Sequence, residues 1–193
     1  HINETIKKAN RLCGMLVGNI QCKDANIMVP LFKSLVRPVI EYGNPIWNTL
    51  LKKHTTPIED IQRRFTKKII GLNKLSYEER LAITRLPSLE YRRLRGDMIE
   101  TFKIVHGFYD KVTVCSLFQF NTFSNTRGHP FKLHKPTIST SKFANFFTNR
   151  VINVWNNLPV NIVNAGTVNA FKNSLDRHWI AYMYKINLEL ISC

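Results

Sequence analysis

Apolar residues return every three or four positions through most of this chain, and each run is bounded by residues that start or stop a helix. Between residues 57 and 72 the set is Ile58, Ile61, Phe65, Ile69 and Leu72, one stripe of a 3.6-residue helix. Thr55 or Thr56 is placed to cap it, Pro57 suits a first helical position, and Gly71 is placed as the stop. The spacing predicts a helix near 57–70, with Arg63, Arg64, Lys67 and Lys68 together on the face opposite the stripe. Helices patterned this way must bury their stripes against one another, so the expected fold class is mainly α, a helical bundle.

The same signals recur on both sides. Ile2, Ile6, Ala9, Cys13, Leu16 and Val17 form a first amphipathic stripe, weakened by Gly14 and Gly18. Asp24 is placed to cap a helix near 24–40 with Met28, Leu31, Phe32, Leu35 and Val39 on its apolar face, and Pro38 predicts a kink or a stop. Trp47, just beyond the turn residues Tyr42 to Pro45, is expected to anchor the core. Ser76 and Glu79 form a capping box for a short helix reaching about Thr84. A longer helix is expected over 88–106, stopped by Gly107, with Tyr91, Leu94, Met98, Phe102 and Val105 inside. Two more are expected near 141–157 and 167–182. The first carries Phe143, Phe146, Phe147, Val151, Val154, Trp155 and Leu158; the second is capped by Thr167 and carries Val168, Phe171, Leu175, Trp179 and Tyr182.

The pattern changes between 108 and 138. Val112, Val114, Phe118 and Phe120 fall on one side of a period-2 pattern, and Phe131 to Lys135 also alternates. These are a candidate β-hairpin with residues 125–130 in the connection. The expected organisation is a helical region over 1–107 and a small α-rich C-terminal module over 108–193.

Charge narrows the class of partner. Lys and Arg number 28 against 13 Asp and Glu, a net charge of +15. Residues 1–51 hold six basic and three acidic groups, 52–103 thirteen and seven, and 104–193 nine and three. The excess is not a basic tail, so a basic surface would be part of the folded body. It favours a polyanionic partner through phosphate neutralisation and counterion release; a merely soluble basic protein is the plainer alternative. Cys13, Cys22, Cys115 and Cys193 make no C-x-x-C pair, which points to reduced thiols and an intracellular protein. No apolar run approaches the length of a membrane span and no signal peptide is visible.

The candidate nucleic-acid contacts are the cationic groups that helical geometry clusters. Arg63, Arg64, Lys67 and Lys68 can track a phosphate backbone from one face, or be a solvated surface in which Glu59–Arg63 and Asp60–Arg64 pair one turn apart. On the next long helix Arg93 can pair with Asp97 and Lys103 with Glu100. Arg92 and Arg95 have no obvious partner on their own helix, and either contact phosphate or cap another helix. Arg127, beside Gly128 and His129 and near Lys132 and Lys135, fits a phosphate-contacting loop or a plain surface turn. Arg150 projects onto an apolar stripe, where a buried arginine needs a partner such as Asp176 or a helix C-terminus. No catalytic set and no metal site is expected: Cys115, His129 and His134 fall short of four ligands.

The runs that carry a family resemblance lie in order along the chain. They are Pro30 to Trp47 (PLFKSLVRPVIEYGNPIW), Ile61 to Lys67 (IQRRFTK), Ser76 to Leu81 (SYEERL) and Leu89 to Asp97 (LEYRRLRGD). Thr126 to His129 (TRGH), Phe146 to Val151 (FFTNRV), Trp155 to Pro159 (WNNLP) and Phe171 to Asp176 (FKNSLD) follow. Together they resemble the segment after the polymerase palm in reverse transcriptases of LINE-type, jockey-like non-LTR retrotransposons. The resemblance implies a polymerase-thumb-like bundle followed by the C-terminal module, a role in gripping RNA or an RNA–DNA duplex, and a place inside the cell, in nucleus or cytoplasm, as a ribonucleoprotein. It also implies that the parent enzyme is an RNA-directed DNA polymerase whose paired aspartates hold two metal ions about 3.5–4 Å apart. No Asp-Asp pair occurs here; the adjacent acids are Glu59-Asp60 and Glu78-Glu79, both in expected first turns of helices. The match begins at His1, so the chain looks like a region cut at the palm boundary. Magnesium would belong to the missing palm, which is itself an expected partner, and no cofactor is expected here. The rival expectation is a domesticated or decayed fragment acting as a protein-interaction module.

Overall fold

Asp24 starts a helix as its position predicts: its backbone is extended and its Oδ1 accepts the Asn26 amide at 2.7 Å. The computed structural model describes residues 2–43, 52–110, 117–121, 129–137 and 140–186. Within them the chain is mainly helical. The helices are α1 (Ile2–Asn19), α2 (Ala25–Leu31), α3 (Arg37–Glu41), α4 (Lys52–Thr66), α5 (Tyr77–Thr84), α6 (Leu89–Val105), α7 (Ser141–Ala144), α8 (Phe147–Asn156), α9 (Val160–Val163) and α10 (Val168–His178). Trp47, Val112, Val114, Arg127 and Gly128 lie outside the described residues.

Pro38 stands in the last turn of the second helical run, which ends at Glu41, beside the expected 40. Its ring would crowd the carbonyl four residues earlier, and the turn before it widens instead. Phe32–Val36 is a π-type turn, closed by the Arg37 amide on the Phe32 carbonyl, and the run continues through α3 to Glu41. The capping box holds: Glu79 N–H reaches Ser76 Oγ at 3.3 Å and Ser76 N–H reaches Glu79 Oε2 at 2.8 Å. These bonds hold the Glu79 carboxyl below its usual pKa. Gly107 also stops α6 as expected, in the left-handed region with φ 72°, while Phe108 N–H bonds the Lys103 carbonyl at 2.9 Å.

Several boundaries differ from expectation. α4 is already helical at Lys52, so Thr55 and Thr56 do not cap it and Pro57 lies inside it. It ends at Thr66 rather than near 70. At that end Arg80, buried in α5, engages two polar groups of α4 and one carbonyl beyond it. Arg80 Nη2 donates to the Arg63 carbonyl at 3.3 Å, Nε to Thr66 Oγ1 at 3.2 Å and Nη1 to the Leu75 carbonyl at 2.6 Å. Ile69 and Leu72 remain buried although they stand on turns, and Gly71, with φ 80°, serves the turn rather than the helix end.

The helix expected over 141–157 is broken into α7 and α8. Asn149 Nδ2 takes the Phe143 carbonyl at 2.7 Å and Arg150 Nη1 the Asn145 carbonyl at 3.1 Å, which leaves Phe146 extended. Phe143 and Phe146 are consequently exposed instead of lying on the buried stripe. Thr167 caps α10 through the Ala170 amide at 3.1 Å, but that helix ends at His178, followed by a 3-10 turn at Ile180–Tyr182. Among the described residues the alternating segments meet at one antiparallel bridge, Phe120 with Leu133. Asn121 N–H to Lys132 O at 2.9 Å and His134 N–H to Gln119 O at 2.8 Å flank it, and no strand forms among the described residues.

The chain forms two compact units. The first is built from His1–Arg93 and Tyr182–Ile186, the second from Leu94–Ala181, so the division falls within α6. In the first, Met28, Phe32, Val36 and Ile40 pack with Ile58, Ile61, Phe65 and Leu81, and the Phe32 and Phe65 rings lie 4.8 Å apart. The α1 stripe covers this core with Ala9 and Leu16 fully inside. In the second, Phe102 stacks on Phe171 at 4.4 Å, and Trp155, fully buried, donates its Nε1 proton to the Phe131 carbonyl at 2.8 Å. Asn156 pairs with the Leu133 backbone in both directions, at 2.9 and 2.8 Å, which holds an irregular segment against α8 without a sheet.

Candidate nucleic-acid interface

The C-terminal end of α4 gathers four of the cations singled out by sequence. Arg63 and Arg64 occupy its last turn; Lys67 and Lys68 stand on the turn that follows, both exposed. Lys67 N–H still bonds the Arg63 carbonyl at 3.3 Å, whereas Lys68 N–H bonds Phe65 O at 3.0 Å as the helix loosens. No carboxylate pairs with either lysine among the described residues. Cations here also complement the negative end of the helix dipole.

The two arginines are held differently from the expected i,i+4 pairs. Glu59 is not Arg63's partner: it is buried and engaged elsewhere. Arg63 Nη1 instead meets Asp60 Oδ1 at 2.5 Å, a half-exposed i,i+3 pair, and the guanidinium sits 5.0 Å above the Tyr77 ring. Arg64 does not pair with the Asp60 carboxylate. Its Nε donates to the Asp60 carbonyl at 3.2 Å and its Nη2 to Asn10 Oδ1 of α1 at 3.1 Å, with the side chain exposed. That contact brings the α1 surface with its exposed Lys7 and Arg11 to the same end of the first unit.

Cys13 lies on that edge of α1. Burial pushes its thiol up to about 12, against a smaller downward pull from Arg64. Only the thiolate reacts appreciably, so at pH 8 iodoacetamide is expected to modify exposed Cys22 at least tenfold faster than Cys13 in the native chain. Peptide mass mapping reads the ratio, and urea should abolish the difference.

Arg92 and Arg95 lack partners on their own helix but find them from distant elements. In the first unit Arg92 binds Glu41 with Nε on Oε1 and with Nη2 on Oε2 at 2.8 Å. In the second unit Arg95 binds Asp176 with Nε on Oδ1 at 2.5 Å and Nη2 on Oδ2 at 2.7 Å. Asp176 therefore serves Arg95, and the expected Arg150–Asp176 pairing is replaced by Arg150–Asp97. Bidentate pairs fix both guanidinium groups in place. Of the loop candidates in the second unit, Lys132 is half-buried and Lys135 exposed, and Arg127 lies outside the described residues.

His129 and His134 do not converge on a metal site. His129 is buried with Nε2 on the Trp155 carbonyl at 3.0 Å, burial lowers its pKa, and His134 is exposed. Among the described residues no three His, Cys, Asp or Glu side chains form a group that could hold a metal ion. No helix there is long and apolar enough to cross a membrane. Sequence reasoning passed over a second cationic group in the first unit, Lys33 and Arg37 beside Arg92; its only sequence signal is their four-residue spacing.

Comparison with protein-family models, with curated proteins and with solved structures finds no match to this chain.

Proposed function

We propose that this chain is a non-catalytic, thumb-like portion of an RNA-directed DNA polymerase from a LINE-type mobile element, and that it holds template–primer nucleic acid. The motif order from Pro30 to Asp176 supports the family, and one physical observation carries the binding role. Arg64, Lys67 and Lys68 stand exposed at one end of α4 with no carboxylate pairing among the described residues, in a chain of net charge +15. Such a group can neutralise backbone phosphates without reading bases. Binding is therefore sequence-tolerant and salt-sensitive. The natural setting is a ribonucleoprotein inside the cell, in nucleus or cytoplasm, with the polymerase palm as the adjoining partner.

The test is fluorescence anisotropy with a labelled RNA–DNA hybrid over a salt series. Removing Lys67 and Lys68 together is expected to flatten the slope of log affinity against log salt by about one to two units and to weaken all sequences alike. Arg63→Ala should matter less, because Asp60 already engages that side chain. A double variant that binds as the parent does at every salt would make this face a solvated surface, and the protein-interaction reading would replace it.

A further inference from the structure

The second unit holds an open cleft of about 580 Å³, within the roughly 300–1,000 Å³ range of small-ligand sites. Much of its lining is aromatic. Phe102, buried and stacked on Phe171, lies 4.2 Å from the His106 ring, and His106 lies 4.6 Å from Phe131. The imidazole is fixed by its Nε2 proton on the Val163 carbonyl at 2.9 Å, which leaves Nδ1 as an acceptor in the neutral ring. Phe108, turned off the end of α6 after left-handed Gly107, lines the same cleft and is 57% exposed. The rest of the lining is Pro130 and the turn 164–166 that follows α9. That turn is tied by Asn164 N–H to the Val160 carbonyl at 3.0 Å and Ala165 N–H to the Ile162 carbonyl at 3.2 Å. Asn164 is exposed, and its side-chain amide makes no hydrogen bond among the described residues. The cleft thus offers ring faces together with a polar edge. An apolar side chain seated there would cover the Asn164 amide and the His106 nitrogen without pairing them, which is costly. A nucleobase brings a π-face to the rings and donors and acceptors at its rim.

We propose that this cleft receives an unpaired base of a single-stranded nucleic acid. The site rests on the nucleic-acid reading above and names the part of the strand that the second unit takes. The base stacks on the aromatic wall at Phe108 and Phe131. The Asn164 amide donates to its edge and accepts from it, and His106 Nδ1 accepts from an exocyclic amino group. The described lining holds no lysine or arginine, so the site adds affinity without steepening the salt dependence.

Fluorescence anisotropy of the full chain compares a short single-stranded RNA with a strand of the same length that lacks its bases throughout. The unaltered chain is expected to bind the intact strand about tenfold more tightly, as stacking of one base would give. Phe108→Ala is expected to remove most of that preference, while its affinity for the baseless strand and its salt slope stay those of the parent. Asn164→Ala, at an exposed position, is expected to narrow the preference in the same way and provides the readout should Phe108→Ala fail to fold. Equal binding of the two strands by the parent overturns the site, leaves the nucleic-acid reading standing and leaves the cleft for a protein side chain. A preference that both variants keep also overturns the site, because the stacking then lies elsewhere. A parent chain that binds neither strand overturns the underlying reading, and this site with it.

Discussion

Replacing Asp97 with alanine is expected to destabilise the chain by about 3–5 kcal/mol, the usual effect of breaking a buried ion pair from one side. Arg150 and Asp97 have side-chain exposures of only 1% and 3%. They meet through two parallel bonds, Nε to Oδ2 and Nη2 to Oδ1, each 2.9 Å. Arg150 also donates Nη1 to the Asn145 carbonyl and packs its guanidinium 5.4 Å from the Phe147 ring centre. Without the carboxylate, a charge that cannot be neutralised stays inside the second unit. Most of that loss is the isolated charge rather than the worth of the pair. The double replacement Asp97→Leu with Arg150→Met is therefore expected to recover most of it. Urea unfolding checks this through the midpoint at unchanged slope; an Asp97→Ala loss below about 1 kcal/mol would mean that the pair is solvated.

The second large effect is expected at Glu59, where alanine should remove about 3 kcal/mol, since bonds to a charged acceptor each contribute roughly 1.5–3 and do not add fully. Its carboxylate accepts three hydrogen bonds: from Tyr77 Oη at 2.6 Å, Leu89 N at 3.1 Å and Glu90 N at 3.0 Å. The two amides belong to the first turn of α6, which has no intrahelical acceptors, and Ser88 Oγ takes the next one, Tyr91 N–H, at 3.2 Å. Burial and the neighbouring Glu59 charge both raise the Tyr77 phenol pKa, so Tyr77 remains a donor throughout the ordinary pH range. Tyr77→Phe removes one of the three bonds and should lose about half as much, roughly 1.5 kcal/mol. Thermal unfolding of the two variants checks the ranking; equal losses would show that the amides do not depend on Glu59.

Most of the helical stripes and three of the caps were legible because both are local; along α2 and α3 the stripe is displaced, with Leu35 exposed and Val36 and Ile40 buried. Asp24, Ser76 and Thr167 each satisfy amides two or three residues away, and Ile58, Ile61 and Phe65 need only the helical period to share a face. What was not legible crosses sequence. Glu59 is one turn from Arg63, and the local rule pairs them, but burial places its carboxylate against α6 instead. Arg92 and Arg95 looked unpartnered for the same reason in reverse: Glu41 and Asp176 are 51 and 81 residues away. The break at Phe146 was hidden because Asn149 and Arg150 take carbonyls that a continuous helix would have used. Of the proposed interface, the cluster at the end of α4 could be read from spacing.

The most direct measurement is the salt dependence of RNA–DNA hybrid binding by the unaltered chain. With Arg64, Lys67 and Lys68 each contacting a phosphate, log affinity should fall against log salt with a slope of about −2 to −3, near −0.9 per contact. Hybrids of unrelated sequence should give the same line. A slope near zero, or no binding at low salt, would contradict a nucleic-acid-holding role for this basic surface.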